Sequence, residues 1–268
     1  MVCDDRSIVM NLKQRLKQQE FVRGSWVVLE EPSIVELIAE YGNDFIIVDM
    51  EHSALDISTV NKMGRAMDAS DGHAEMITRV PWNDHVTIKR VLDNGARGIL
   101  VPWVNTVEEA EDAVEATRYP PEGIRGVGPL RPAKYGKEFD EYMERAAEED
   151  PIVIVQIETA EAVDNVEDIA AVDGIDGIFI GPGDLAVSLG TYGSDETEPF
   201  DDAVDRIVSA AQAHDVVVGT VVGDVDDISV WLDRGIDFLA NGSDIAYLNS
   251  ASARFKDAFE DAVEQDHD

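Results

Sequence analysis

Ile152-Val153-Ile154-Val155-Gln156-Ile157-Glu158 is the stretch from which the fold is read. An apolar run of β-branched residues that turns polar only at its end is how a strand reads when helices cover both faces of its sheet. Seven more short runs of this kind follow the chain: Trp26–Leu29, Phe45–Val48, Met76–Val80, Ile99–Val101, Gly177–Ile180, Val216–Thr220 and Phe238–Ala240. Segments with helical spacing lie between them. Phe200, Val204, Ile207, Val208 and Ala211 form one stripe, and Phe255, Ala258 and Phe259 another. Thr106-Val107-Glu108-Glu109 has the capping-box spacing that opens a helix, and Asn94-Gly95 closes the helix before it. Eight strands alternating with helices predict an α/β fold, a (β/α)8 TIM barrel; an open doubly wound sheet is the alternative. One domain over residues 1–268 accommodates this pattern, with a long insertion at 119–150 between the fourth and fifth strands. Insertions of that length serve as lids or subunit contacts.

Composition narrows the function classes. The hydrophobic fraction is 44%, and no window approaches the ~18 to 20 unbroken apolar residues of a membrane span. The N-terminal Met1-Val2-Cys3-Asp4-Asp5-Arg6 carries acids where a secretory signal carries bases. Cys3 is the single cysteine, so neither a disulfide nor a sulfur metal cluster is expected, and a reducing cytoplasm fits. Fifty-six Asp and Glu against 21 Lys and Arg leave a formal net charge of −35, which argues against a nucleic-acid partner. The acids are scattered as a solvated surface, for example Asp201-Asp202 and Glu260-Asp261, and their self-repulsion points to a salt-adapted protein.

In a barrel the chemistry sits at the C-terminal strand ends. The second run is followed by Asp49-Met50-Glu51-His52, the third ends at Arg79, the fifth at Gln156-Ile157-Glu158, and the sixth leads into Gly181-Pro182-Gly183-Asp184. His73 and His214 precede strands and fall at the opposite face. Glu158 and Asp184, on adjacent strand ends, are candidates to converge on a hard cation, Mg²⁺ or Mn²⁺. Asp184 reads equally as a helix N-cap, whereas an acid directly after Ile152–Ile157 is partly buried and needs a cation or a donor. His52 is a candidate base, with His85 competing for that role. Arg79 offers a fixed cation to an oxyanion or, equally, a salt bridge within an acidic mouth. A Schiff-base lysine has no candidate near the strand ends: Lys62 and Lys89 fall on helical segments, Lys134 and Lys137 in the insertion.

Five segments together resemble the HpcH/HpaI aldolase family, metal-dependent pyruvate aldolases that include 2,4-dihydroxyhept-2-enedioate and 2-dehydro-3-deoxyglucarate aldolases. They are Phe45–His52, Arg79–Asp84, Tyr119–Gly128, Val155–Thr159 and Gly177–Leu185, in order and nearly end to end. The resemblance implies a phosphoenolpyruvate/pyruvate-type barrel that cleaves a 4-hydroxy-2-oxo acid into pyruvate and an aldehyde, or runs the reverse addition. It implies that Glu158 and Asp184 hold the divalent metal, with Co²⁺ a further candidate, and that His52 is the base. It also implies that Asp93 raises the basicity of His52, that Arg79 stabilises the enolate, and that Gln156 with the backbone around Gly183 and Asp184 contacts the 2-oxo acid. A homo-oligomer, a hexamer in the family, is implied as well. The chain departs from the pattern at Met50, where many members have Gly, at Gly183, where some have Ala, and at His85, where Pro is common. Two competing readings stand beside the aldolase. A citrate-lyase-β-like or malyl-CoA-type lyase needs basic residues for CoA phosphates, of which Arg125 and Arg131 alone are at hand. A catalytically silent 2-oxo-acid-binding barrel is disfavoured by the retention of His52, Arg79, Asp93, Glu158 and Asp184.

Overall fold

The computed structural model describes residues 10–146 and 150–265; Cys3 and the acidic start of the chain lie outside the described residues. Eight strands, β1 (Val22–Val27), β2 (Phe45–Asp49), β3 (Glu75–Arg79), β4 (Gly98–Val101), β5 (Ile152–Ile157), β6 (Gly177–Ile180), β7 (Val217–Val222) and β8 (Phe238–Ser243), pair in parallel in chain order. β8 closes onto β1, giving the (β/α)8 barrel. The helices are α1 (Leu12–Lys17), α2 (Pro32–Ala39), α3 (Ile57–Ala69), α4 (His85–Asp93), α5 (Val107–Thr117), α6 (Phe139–Ala146), α7 (Ala160–Ala170), α8 (Pro182–Ser188), α9 (Glu198–Ala213), α10 (Ile228–Asp233) and α11 (Asp244–Gln265).

Period-two alternation sorts each strand into an inner and an outer face. Phe45 and Ile47 of β2, Ile77 of β3, Leu100 of β4, Ile152 and Ile154 of β5, Phe179 of β6 and Phe238 of β8 fill the barrel interior as one cluster. Ile46, Val48, Val153, Val155 and Ile157 point the other way, into the layer under the helices. The interior is aromatic on one side: Phe179 lies 5.6 Å from Trp26 and 6.0 Å from Phe238, centroid to centroid. Gly24 and Gly219 make room for this packing, because a Cβ at either would collide with the ring of Phe45 or Phe238. The alternation also decides the site, since continuing the inner rows of β2, β3 and β5 leads to Asp49, Arg79, and Gln156 with Glu158.

α1 closes the N-terminal end of the barrel. Leu12 and Leu16 join the interior cluster, while Lys13 pairs with Asp176 at 2.8 Å and Arg15 with Asp44 at 2.5 Å. At that same end Asp44, Asp176 and Asp237, each just ahead of a strand, accept the backbone N–H of Arg23, Val153 and Val218 on the neighbouring strand at 2.9, 3.0 and 2.8 Å. At the opposite end the buried Asp244 accepts from the amides of Val28 and Leu29, at 3.1 and 2.8 Å, and ties β8 to the exit of β1.

Most elements follow the sequence reading. α9 buries Val204, Ile207, Val208 and Ala211, the Thr106/Glu109 capping box opens α5, and Asn94 is the C-cap of α4 with Gly95 at φ +104°. β1 differs, running Val22–Val27 instead of Trp26–Leu29. Its centre is Arg23-Gly24-Ser25, where the small Gly24 serves the Phe45 ring and the Ser25 hydroxyl meets that of Tyr247 at 2.7 Å. The insertion folds into a 3-10 turn (Arg131–Gly136) and α6. Its polar contacts run to α3 and α4 on the outer wall: Arg125 to Asp93, Arg131 to Gly64 and Asp68, and Tyr135 to Arg65. The Phe255–Phe259 stripe of α11 is helical as expected, yet Phe255 is 81% and Phe259 70% exposed.

Candidate active site

Asp49 is the last residue of β2 and sits on the inner row, 1% exposed. A carboxylate so buried needs donors, and Asp49 has five. Arg79, at the end of β3, grips it from two nitrogens, Nε to Oδ1 at 2.8 Å and Nη2 to Oδ2 at 2.5 Å. The Trp26 indole N–H reaches Oδ2 at 3.2 Å, and the amides of Glu51 and His52 reach Oδ1 at 2.9 and 3.3 Å. Burial pushes the Asp49 carboxyl up, but the Arg79 fork and charge, with the Glu51 amide and the indole, outweigh it and hold its pKa below the usual carboxylate value. Arg79 also lies 4.7 Å over the Trp26 ring. The guanidinium is therefore fixed in place, and the short loop that carries Glu51 and His52 is folded around Asp49.

Glu51 is the residue that strand periodicity does not reveal, because it lies in the loop beyond β2. Its carboxylate is nearly buried; Oε2 stands 2.8 Å from Arg79 Nη1 without the alignment of a hydrogen bond, and Oε1 stands 3.9 Å from His52 Nε2. Although Arg79 is so near, the pKa of Glu51 is raised. Burial is the main cause and outweighs the downward pull of the Arg79 charge, and the charges of Asp49 and Asp184 add to the rise. The His52 imidazole is 66% exposed and faces the mouth.

Across the mouth, Glu158 follows β5 and is 1% exposed. Its Oε1 accepts the Trp103 amide at 2.8 Å and its Oε2 accepts the Gln156 side-chain amide. Burial first, then the charges of Glu51 and Asp184, push its pKa up to about 7 against the pull of the Trp103 amide and Arg79. Gln156 is buried, and its Oε1 has no partner among the described residues. Gly181 has to be glycine: a Cβ there would stand 2.6 Å from both Gln156 Nε2 and Glu158 Oε2. Gly181 is itself the N-cap of α8, without a side-chain cap bond, so Asp184 is the third residue of that helix and its exposed carboxylate is not the cap. Gly183 has nothing within 4 Å of a Cβ built on it.

His52, Arg79, Gln156, Glu158, Gly183 and Asp184 thus stand at one end of the barrel, as the sequence predicted. His85, the competitor for the base, is the first residue of α4, exposed and next to its N-cap Asp84. Asp93 is not brought to His52. It ends α4, whose nine residues span ~13 Å away from the strand ends, and its carboxylate pairs at 3.0 Å with Arg125, which stacks 4.8 Å over Tyr119. Four carboxylates, Asp49, Glu51, Glu158 and Asp184, share the mouth with the single guanidinium of Arg79. That surplus of negative charge, with Glu158 buried and raised, fits a divalent cation. Among the described residues no three His, Cys, Asp or Glu side chains form a ready-made metal cage. Glu158 and Asp184 could supply two oxygen ligands to such an ion and leave its other positions open.

Known proteins resemble this chain in sequence and in fold. A family model described as HpcH/HpaI aldolase/citrate lyase matches residues 23–251. The chain is 38% identical over 247 residues to a 5-keto-4-deoxy-D-glucarate aldolase of Escherichia coli O139:H28, covering 92% of this chain and 95% of that one. Among solved structures, an HpcH/HpaI aldolase/citrate lyase family protein from Burkholderia cenocepacia J2315 superposes with a TM-score of 0.88 at 35% identity, covering 93% of this chain and 98% of the other. The citrate synthase SbnG superposes with a TM-score of 0.80 at 32% identity, covering 94% and 98%. The fold and these matches lead to one conclusion: the chain belongs to the HpcH/HpaI aldolase/citrate lyase family, and it is a lyase of the aldolase type.

Proposed function

We propose that the mouth formed by β2, β3, β5 and β6 cleaves a 4-hydroxy-2-oxo acid to pyruvate and an aldehyde, with a divalent metal, Mg²⁺, Mn²⁺ or Co²⁺, held by Glu158 and Asp184. The observation that carries this is the buried Glu158, pushed up to about 7 by burial and by the charges of Glu51 and Asp184 against the pull of the Trp103 amide and Arg79. When bound, the metal neutralises that charge and supplies Lewis-acid polarisation of the 2-oxo group. Gln156 orients Glu158 through its amide and leaves its unpartnered Oε1 to accept from a substrate hydroxyl. His52, exposed at the rim with its Nε2 3.9 Å from the carboxylate of Glu51, takes the proton of the 4-hydroxyl. The C3–C4 bond then breaks: its electron pair passes to the pyruvate fragment as an enolate and the aldehyde leaves. Arg79, immobilised by Asp49, faces the enolate charge, and protonation at C3 completes pyruvate. The uncapped first turn around Gly183 and Asp184 is open to the substrate carboxylate. A CoA-thioester lyase is not favoured beside a relative named as an aldolase at 38% identity.

The role that the resemblance gives Asp93, orienting His52, is available only from a neighbouring copy, because within one chain Asp93 belongs to Arg125 at the far end of α4. A homo-oligomer is supported by α11, whose Leu248, Phe255 and Phe259 are uncovered. No described helix is long and apolar enough to cross a membrane, which suits a cytoplasmic enzyme.

The test is exchange of pyruvate methyl protons in D₂O, followed by NMR with Mg²⁺ or Mn²⁺ present or stripped. Metal-dependent exchange that disappears in His52→Ala is expected; exchange that is indifferent to metal, or absent from folded, metal-supplied protein, overturns the reading. For Asp93, inactive His52→Ala and Asp93→Ala chains unfolded and refolded together should regain cleavage, because a mixed contact restores one complete pair. No recovery in verified mixed oligomers removes the role of Asp93 across copies and leaves the rest standing.

A further inference from the structure

On the outer wall of the barrel, a cavity of about 710 Å³ opens between α3 and α4 under the insertion, lined by Asn61, Lys62, Arg65, Arg90, Asn94 and Tyr135, with Asp56 at its edge. Its charge runs against that of the molecule. In a chain with 56 acids and 21 bases, cations such as Arg118, Arg131 and Arg234 have carboxylates within 4.0 Å. Arg65 and Arg90 have none within 4.0 Å among the described residues, and the nearest to Lys62, on Glu30, is 3.8 Å away. Asp56, the N-cap of α3, accepts the Thr59 amide at 2.9 Å and the Thr59 hydroxyl at 3.3 Å, and its charge offsets part of that of Lys62 and leaves Arg65 and Arg90 as the cations without an acid.

The rest of the wall is built from neutral donors. Arg65 Nη2 donates to the Tyr135 hydroxyl at 3.2 Å, and Asn61 donates to Asn94 at 2.9 Å, joining the two helices. Tyr135 is delivered by a backbone in the left-handed region, Lys134 at φ +46° and Tyr135 at φ +56°. Non-glycine residues persist there only where surroundings fix them. Here Arg131 does so, its Nη2 donating to the Gly64 carbonyl at 2.7 Å and its chain lying where a Cβ on Gly95 would come within 2.7 Å of Nε. Two guanidinium groups without a carboxylate within 4.0 Å among the described residues, with the ammonium of Lys62 at 3.8 Å from Glu30, thus line one space of ligand size.

We propose that this cavity binds a small, multiply charged anion, a phosphorylated or polycarboxylate metabolite, gripped by the guanidinium forks of Arg65 and Arg90 and the ammonium of Lys62. Guanidinium groups pair with both phosphate and carboxylate oxygens in fork geometry. The surrounding charge of −35 repels a long polyanion such as nucleic acid and selects for a compact one. A ligand here ties together α3 and α4, the helices that lead out of the strands ending in Asp49 and Arg79.

The experiment is calorimetric titration of the whole, metal-stripped protein with inorganic pyrophosphate and, separately, with citrate at one fixed KCl concentration. Wild type is compared with Arg65→Gln/Arg90→Gln and with the charge-conserving Arg65→Lys/Arg90→Lys, and circular dichroism verifies that each is folded. Saturable binding is expected in the wild type, weaker by about tenfold or more in the glutamine variant and intermediate in the lysine variant. Whichever anion binds identifies the phosphate or the carboxylate class. No binding at millimolar concentrations, or binding equal in all three proteins, overturns the proposal. So does a glutamine variant whose only change is the oligomer mass by light scattering, since that result makes the cavity a contact between copies.

Discussion

Trp103 holds φ at +56°, which a large L-residue adopts only under constraint, and this turn aims its N–H at Glu158 Oε1. The backbone, more than the indole, is what the carboxylate uses. Trp103→Gly should therefore be more stable than Trp103→Ala by about 1 kcal/mol, because glycine adopts this conformation without steric penalty while alanine does not. Urea midpoints measure the difference, and an alanine variant as stable as the glycine one removes the argument. Residues of this kind mark how far the site was legible. Asp49, Arg79, Gln156 and Glu158 continue the inner rows of strands and can be found by counting in twos from Phe45, Ile77 and Ile152. Glu51 lies past the end of a strand, where no period applies, and the amide of Trp103 carries no signature in the sequence. Asp93 was assigned by resemblance alone, and its Arg125 partner comes from an insertion whose path no local pattern fixes.

Among elements, α1 and the three acids at the N-terminal end of the barrel form one device. Asp44 and Asp176 clip a neighbouring strand and are each met by a cation of α1, Arg15 or Lys13. Asp237 clips β7 through Val218 but has no cation within 4.0 Å among the described residues. Burial consequently pushes its carboxyl above the usual 3.8, against the pull of the Val218 amide. The sign follows from linkage: the fold prefers the protonated form, so this contribution to stability is complete below the unfolded pKa and is lost as pH rises through the raised one. Asp237→Asn keeps an acceptor for Val218 and cannot charge. Its stability relative to wild type should rise as pH climbs from about 4 through the raised pKa, while Asp237→Ala, which orphans a buried amide, loses about 1–3 kcal/mol at any pH. Denaturant titrations across that range decide it, and a pH-independent gap between Asn and wild type contradicts the burial argument. Legibility at this scale followed hydrophobic density. β5, with Ile152–Val155 unbroken, was read to the residue. β1 was displaced because Arg23-Gly24-Ser25 is shaped by tertiary partners, and α1 escaped notice because Leu12 and Leu16 are its only apolar residues.

For the whole molecule the dominant quantity is the net charge of −35, distributed over helix faces such as α5 and α9 and offset at few points by ion pairs. Exposed pairs such as Arg206–Asp164 contribute little, with a median of roughly 0–1 kcal/mol. Repulsion among the unpaired acids acts over the Debye length, about 10 Å at 0.1 M salt and about 3 Å at 1 M. The barrel core is unaffected by that change, so salt should act on stability almost wholly through the surface. The thermal midpoint is expected to climb steeply as KCl is raised from about 0.1 M to about 1 M, and to climb equally with NaCl at the same ionic strength. A second route to the same result exists, because excluded salts strengthen apolar burial, and sulfate exceeds chloride in that effect. Replacing several scattered acids, among them Glu108, Asp202 and Asp261, by Gln or Asn separates the two. If screening dominates, the variant is more stable at low salt and its dependence on KCl is shallower. If exclusion dominates, the slope is unchanged and sulfate outperforms chloride at matched ionic strength, which makes the acidic surface a matter of solubility and not of folding.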